Sequence, residues 1–282
     1  EMGLRIMSVT KGSPAEQVGL YPGDILIGVE DKDIKTIGQD GAADLIRGEA
    51  GSPVNIRILR DGEEIALTVT RAVIIEDVAV GTMLDGNIGL VRIADFNTHC
   101  AEQSFICIND LLEQGAEAII FDVRFNPGGY KNELVELLDA LLPEGVIFRS
   151  VDYAGNEIAD RSDRFCLKFP MAVLVNDATF SAAEFFAAAL QEFGAAEIVG
   201  MQTTGKGNFQ TVFELSDGSG LNLSIGKYFT PEGKSLTDTG ITPDVEVELN
   251  AEDYTNLYYD ALSHEEDEQL QTAWEILRQK IS

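Results

Sequence analysis

Met171-Ala172-Val173-Leu174-Val175 carries no polar side chain on either of its alternating faces. Successive side chains of a strand point to opposite sides, so a strand of this composition must be covered on both. Ala118-Ile119-Ile120-Phe121-Asp122-Val123, polar only at Asp122, also reads as a buried strand. A helix-compatible stretch follows each run, Asn132 to Leu142 after Ala118–Val123 and Ser181 to about Phe193 after Met171–Val175. Ile88-Gly89-Leu90-Val91-Arg92-Ile93 supplies a further strand, followed by a helix over about Thr98 to Gln114. Strand alternating with helix predicts an α/β class, a mixed sheet with helices packed on it. Hairpins are expected at Asp217-Gly218 and at Pro231-Glu232-Gly233. Leu270, Ala273, Trp274, Leu277 and Ile281 recur at the helical period in a segment over Asp267 to Ile281.

Residues 1–72 read as a separate small unit. Leu4 to Val9 and Asp24 to Val29 are strand-like, and Ser13-Pro14-Ala15-Glu16 can start a short helix. Ala42 to Arg47 is helical in pattern. Val54 to Leu59 and Glu64 to Thr70 form a hairpin across Asp61-Gly62. Residues 73–84 are expected to be a linker with strand character, and residues 85–282 the main domain.

Charge excludes some partners. The formal net charge is −28, with a pI near 4.2. Binding nucleic acid needs clustered Lys and Arg to neutralise phosphates, and docking on anionic lipid needs the same. No run of about 18 apolar residues is present to span a membrane. The chain begins at Glu1, so any export signal or membrane anchor is expected upstream of it. Cys100 and Cys107 lie seven residues apart on the expected helix, roughly 10 Å along its axis. That is too far for a disulfide, whose Cα atoms lie within about 7 Å. The pair is expected to be core filler, and with Cys166 the three cysteines cannot all pair within the chain. Two histidines, His99 and His264, give no zinc-binding spacing, and neither a metal nor a cofactor is expected.

Three motifs carry chemistry. Ser181 stands where a buried strand turns into the helix beginning Ala182-Ala183-Glu184. A serine there exposes its hydroxyl beside the forward-pointing N–H groups of a helix N-terminus; it is also what an ordinary N-cap looks like. Gly205-Lys206-Gly207 holds a lysine between glycines, with Gln210 four residues beyond Lys206. Such a loop is either a mobile surface turn or a placed amine, and it lacks the spacing of a phosphate-binding loop. Asn126-Pro127-Gly128-Gly129 follows the first buried strand, where paired glycines allow close backbone approach or simply a tight turn.

Taken in order, these motifs resemble the carboxy-terminal processing, or tail-specific, serine protease family. The resemblance covers nearly the whole chain and adds Thr230-Pro231-Glu232-Gly233 and Gly240-Ile241-Thr242-Pro243-Asp244. Gly12-Ser13-Pro14-Ala15, Gly19-Leu20, Pro22-Gly23-Asp24-Ile25-Leu26 and Arg47-Gly48 resemble the PDZ domain found in bacterial members. The family's fold is related to that of ClpP and the crotonases. By this resemblance Ser181 is the nucleophile, Lys206 the general base and Gln210 its orienting partner. Ala182 and the Gly128–Gly129 turn would donate to an oxyanion. The substrates would be proteins or peptides, especially unstructured C-terminal tails. The PDZ unit would regulate access, with Arg47 and Arg71 as candidate gating contacts. A homodimer and an extracytoplasmic location in the cell envelope are further implications. The loop by which a PDZ domain holds a terminal carboxylate is expected before the first strand. Phe180 departs from the pattern, because the residue before the nucleophile is usually small. Two other readings stand beside the protease: an inactive PDZ-type scaffold that binds peptides, and acyl chemistry on small thioesters, for which no nucleotide or coenzyme motif is seen.

A lysine works as a base only when neutral, and a free lysine side chain holds its proton to about pH 10.4. Lys206 is therefore expected in a largely apolar pocket close to Ser181. Glu184 is expected to have a structural role, anchoring a neighbouring loop.

Overall fold

A computed structural model describes residues 3–282. The chain divides into two compact units, Glu1–Glu76 and Asp77–Ser282. In the first, strands Leu4–Arg5, Ile25–Val29, Pro53–Arg60 and Glu63–Thr70 lie side by side in that order, all antiparallel, and Lys32–Asp33 pairs with Ile25–Val29. The Asp61-Gly62 hairpin forms as its turn chemistry predicts, with Asp61 at φ 51° and Gly62 at φ 86°. The helix runs over Ile34–Ile46, longer than the expected Ala42 to Arg47, and Gly38 kinks it at φ 67°. Asp33 caps it by accepting the Lys35 N–H. Leu26, Val29, Ile34, Val54, Ile56 and Ile58 form this unit's own core.

The second unit is built on a six-stranded sheet in the order Val245–Glu246, Ala196–Gly200, Met171–Val175, Ala118–Asp122, Ile88–Ile93, Ala79–Leu84. All neighbours are parallel except the last pair. The two apolar runs are its centre, which explains their composition. Ala118, Ile120, Ala172 and Leu174 face one layer, where Leu270, Ala273 and Leu277 of helix Glu268–Lys280 cover them. Ile119, Phe121, Val173 and Val175 face the other, beneath helices Cys100–Glu113, Lys131–Leu141 and Ala182–Glu192. Residues 79–84, expected in the linker, are instead an edge strand of this sheet.

A four-stranded antiparallel sheet stands apart, in the order Glu157–Ser162, Gly145–Asp152, Gly220–Phe229, Asn208–Glu214. Its 208–229 hairpin turns at Asp217-Gly218 as expected. Its other hairpin, 145–162, is not anticipated above, although Asp152 closes its turn by accepting the Ala154 and Asn156 N–H groups. Pro231-Glu232-Gly233 forms a turn but no hairpin. The Thr230 N–H donates to the Lys234 carbonyl there, and no strand follows before Val245. Cys100, Cys107 and Cys166 are all free thiols. Burial pushes the Cys100 thiol up to about 12, so it sits in the core as an inert apolar group.

Candidate active site

The end of strand Met171–Val175 is tied to the end of strand Ala118–Asp122 before either chain reaches its helix. Asn176 accepts the Phe125 N–H at 3.0 Å. The Thr179 hydroxyl donates to the Val123 carbonyl at 2.8 Å, and the Phe180 N–H donates to the Asn126 carbonyl at 3.1 Å. Asn126 is fully buried, and its amide donates to the Ile93 carbonyl at 2.7 Å. These bonds hold the two strand-to-helix turns against each other.

Ser181 sits at the contact, at φ 58° and ψ −127°. A non-glycine residue there is strained by about 1–3 kcal/mol, and neighbours hold it in place. Gly128, at φ 93°, lies directly opposite. A Cβ at position 128 would stand 2.6 Å from the Ser181 Cβ and 2.7 Å from the Ala182 nitrogen. At Gly129, φ 145°, a Cβ would meet the Phe96 carbonyl oxygen at 2.4 Å. Both glycines are thus required by close approach, not merely by a turn. The Gly128 N–H is committed to the Asn126 side chain at 2.8 Å. This leaves Gly129 and Ala182 as the candidate oxyanion donors, narrowing the expected set.

Glu184 joins this turn to the lysine loop. Its side chain has no exposed surface. One carboxylate oxygen accepts the Ser181 N–H at 2.9 Å and the Lys206 N–H at 2.8 Å. The other accepts the Gly205 N–H at 2.7 Å and the Thr203 hydroxyl at 2.5 Å. One carboxylate therefore satisfies donors from residues 25 positions apart in the chain. The Glu184 anchor expected above is present, and it joins the Ser181 backbone to the Thr203–Lys206 loop. A serine followed three residues later by glutamate is a helix-start pattern, so the first half of this bridge was readable; the half that reaches 203–206 was not.

Ser181 and Lys206 line one cleft of ≈ 440 Å³, together with Asp95, the Pro127–Lys131 segment, Phe209, Gln210 and Tyr228. The Lys206 side chain is exposed, contrary to the expected apolar pocket. Its ammonium lies 5.7 Å from the centre of the Phe180 ring. The loop glycines explain the exposure. The Lys206 backbone is pinned from below by Glu184, and the long side chain is left to the open cleft. Gln210 does not meet Lys206. It is exposed on strand Asn208–Glu214, and its side-chain carbonyl accepts from the Asn222 amide at 3.0 Å across the hairpin.

Arg47 and Arg71 are engaged within the first unit. The Arg71 guanidinium donates to the Leu45, Ile46 and Pro53 carbonyls and to the Ser52 hydroxyl. Arg47 pairs with Asp44 at 3.6 Å, with both side chains largely exposed. Among the described residues no group of three His, Cys, Asp or Glu is placed to hold a metal ion. No helix among them is long and apolar enough to cross a membrane.

Comparison with known proteins fixes the family. The profile of Peptidase family S41 matches residues 87–247, more than half of the chain, and the profile of the PDZ domain matches residues 5–60. The chain belongs to peptidase family S41.

Among its relatives is the carboxy-terminal processing protease CtpA of Bacillus subtilis (strain 168), 36% identical over 257 residues, covering 90% of this chain and 55% of the relative. A carboxyl-terminal-processing protease of Synechocystis sp. is 35% identical over 252 residues, 87% of this chain and 59% of the relative. The chain thus spans just over half the length of these two curated relatives. The solved photosystem II D1 C-terminal processing protease superposes with a TM-score of 0.56 at 29% identity, over 86% of this chain and 68% of that one. The match to family S41 lies within the second compact unit, and the PDZ match lies within the first. Both proposed serine and lysine positions fall inside the matched S41 segment.

Proposed function

We propose that this S41 member is a serine endopeptidase in which Ser181 is the nucleophile and Lys206 the base. The observation that carries the reading is the shared anchor: the Glu184 carboxylate holds the backbones of both residues at the rim of one cleft. In the reaction, neutral Lys206 takes the Ser181 hydroxyl proton as the oxygen bonds to the scissile carbonyl carbon. The carbonyl oxygen becomes an oxyanion that receives the Gly129 and Ala182 N–H groups. Collapse breaks the C–N bond, and the proton on Lys206 goes to the leaving amine. Water then attacks the acyl ester, giving its proton to Lys206; the C–Oγ bond breaks, the Ser181 oxygen takes that proton back from Lys206, and the acid is released.

The exposed Lys206 fits a resting enzyme. A bound peptide filling the cleft would strip water from the amine and favour its neutral form. Substrate binding would also let Gln210 exchange Asn222 for Lys206, the orienting role the family resemblance implies. In this proposal the substrates are unstructured protein segments near C-termini, delivered under the control of the PDZ unit, and the location is outside the cytoplasm; the relatives' names, which specify carboxy-terminal processing, support the first of these.

The test is cleavage of an unfolded protein such as casein by Ser181→Ala and Lys206→Ala. Both should lose at least about 10³-fold in kcat, as removal of a nucleophile or its base does. Full turnover by either variant ends the Ser–Lys assignment. Binding of C-terminal peptides without hydrolysis by the unaltered protein would favour the scaffold reading.

A further inference from the structure

Arg124 lies between the strand Ala118–Asp122 and the Gly128–Gly129 turn, and it is 5% exposed. A guanidinium has five N–H donors, and here every one has an acceptor. Nε and one Nη2 hydrogen go to Asp122, at 2.9 and 2.8 Å. The other Nη2 hydrogen and one from Nη1 go to Asp267, at 2.7 and 3.0 Å. The last goes to the Gln269 side chain at 3.0 Å. Asp267 also caps the helix Glu268–Lys280 by accepting the Gln269 and Leu270 N–H groups. The Gln269 amide in turn donates to the Val247 carbonyl. Burial alone would push the Asp122 carboxyl up, but the adjacent Arg124 charge holds it below the usual carboxylate range.

We propose that Asp267 is a positioning residue: through Arg124 it fixes the turn that aims the Gly129 N–H at the oxyanion. The path is short and covalent from Arg124 onward. Phe125 is at φ 59°, Asn126 is fully buried, and Gly128 and Gly129 take the positive φ values given above. A segment with so little slack transmits a shift at Arg124 to the Gly129 N–H. Asn176 and Thr179 tie the residues on either side of Arg124 to the Ser181 turn, so relaxation at Arg124 would disturb the seam at which the two turns meet. A helix 143 residues further along the chain thus helps aim a donor it does not touch.

The inference rests on the serine-protease reading, and the experiment separates the two. Asp267→Asn keeps the helix cap, because asparagine is as good an N-cap as aspartate, but it replaces one acceptor of Arg124 with a donor. Two quantities are measured on the full chain: kcat and KM for a peptide substrate, and the affinity for a peptide aldehyde relative to the matching peptide alcohol. The aldehyde gains from the oxyanion donors and the alcohol does not. The expected result is a fall in kcat of about 10–100-fold, part of the 10²–10³ that one lost oxyanion donor costs. KM should stay within about twofold, and the aldehyde preference should fall in parallel with kcat. An unchanged kcat and aldehyde preference, with or without a lower melting temperature, makes the clamp purely structural and overturns the proposal. Should Asp267→Asn misfold, Gln269→Leu, which removes one acceptor and keeps the cap, is read the same way. Retained cleavage by Ser181→Ala would instead fail the protease reading itself.

Discussion

The Glu184 carboxylate accepts four donors from the protein, and that number makes it sensitive to a single-atom change. Glutamine at this position keeps size and shape but can accept on one atom only. Its NH₂ must then face either the Ser181 and Lys206 N–H pair or the Gly205 N–H with the Thr203 hydroxyl. Each buried donor left unpaired costs about 1–3 kcal/mol. Glu184→Gln is therefore expected to lower kcat by about 10–100-fold while Glu184→Asp, with a shorter reach, recovers little. The check is steady-state kinetics at a temperature where circular dichroism shows both variants folded. Full kcat in a destabilised Glu184→Gln would confine the residue to stability. Thr203 is the least exposed to this argument, because its hydroxyl also accepts the Ile241 N–H and can turn.

Among the elements, the helix Glu268–Lys280 does most to close the sheet, since it alone supplies Leu270, Ala273 and Leu277 to the core on that side. Leu277 is completely buried. Leu277→Ala is expected to destabilise the second unit by about 2–5 kcal/mol, measured as a lower denaturant midpoint at unchanged slope; a shift below about 0.5 kcal/mol would mean the helix is dispensable for packing. This helix was legible beforehand, because Leu270, Ala273 and Leu277 recur at its period, and so were the two central strands, whose all-apolar runs admit only burial on both faces. The strand Ala79–Leu84 was expected only as a linker with strand character, and its pairing with Ile88–Ile93 makes it an edge strand of the sheet. At the site, Ser181 and the glycine turn could be read from strand-to-helix punctuation. Arg124 and Asp267 could not: a buried ion pair between residues 143 positions apart leaves no local periodic trace.

On the scale of the whole molecule, the two compact units have separate cores, and the first is far smaller than the second. The PDZ unit is proposed to govern access to the cleft, so removal of residues 1–72 should change the rate of casein cleavage by several-fold in either direction, with a peptide too short to reach both units as the control. Equal rates for both substrates before and after the deletion would remove that role. The cut leaves strand Ala79–Leu84 in place, which matters because that strand is where the first unit's chain enters the second. Six residue pairs join it to Ile88–Ile93. A pull on the first unit directed along this strand loads those bonds together in shear, whereas a pull across it opens them one after another. The joint through which force on the first unit would enter the second therefore has a strength that depends on direction, set before any force reaches the residues around Ser181.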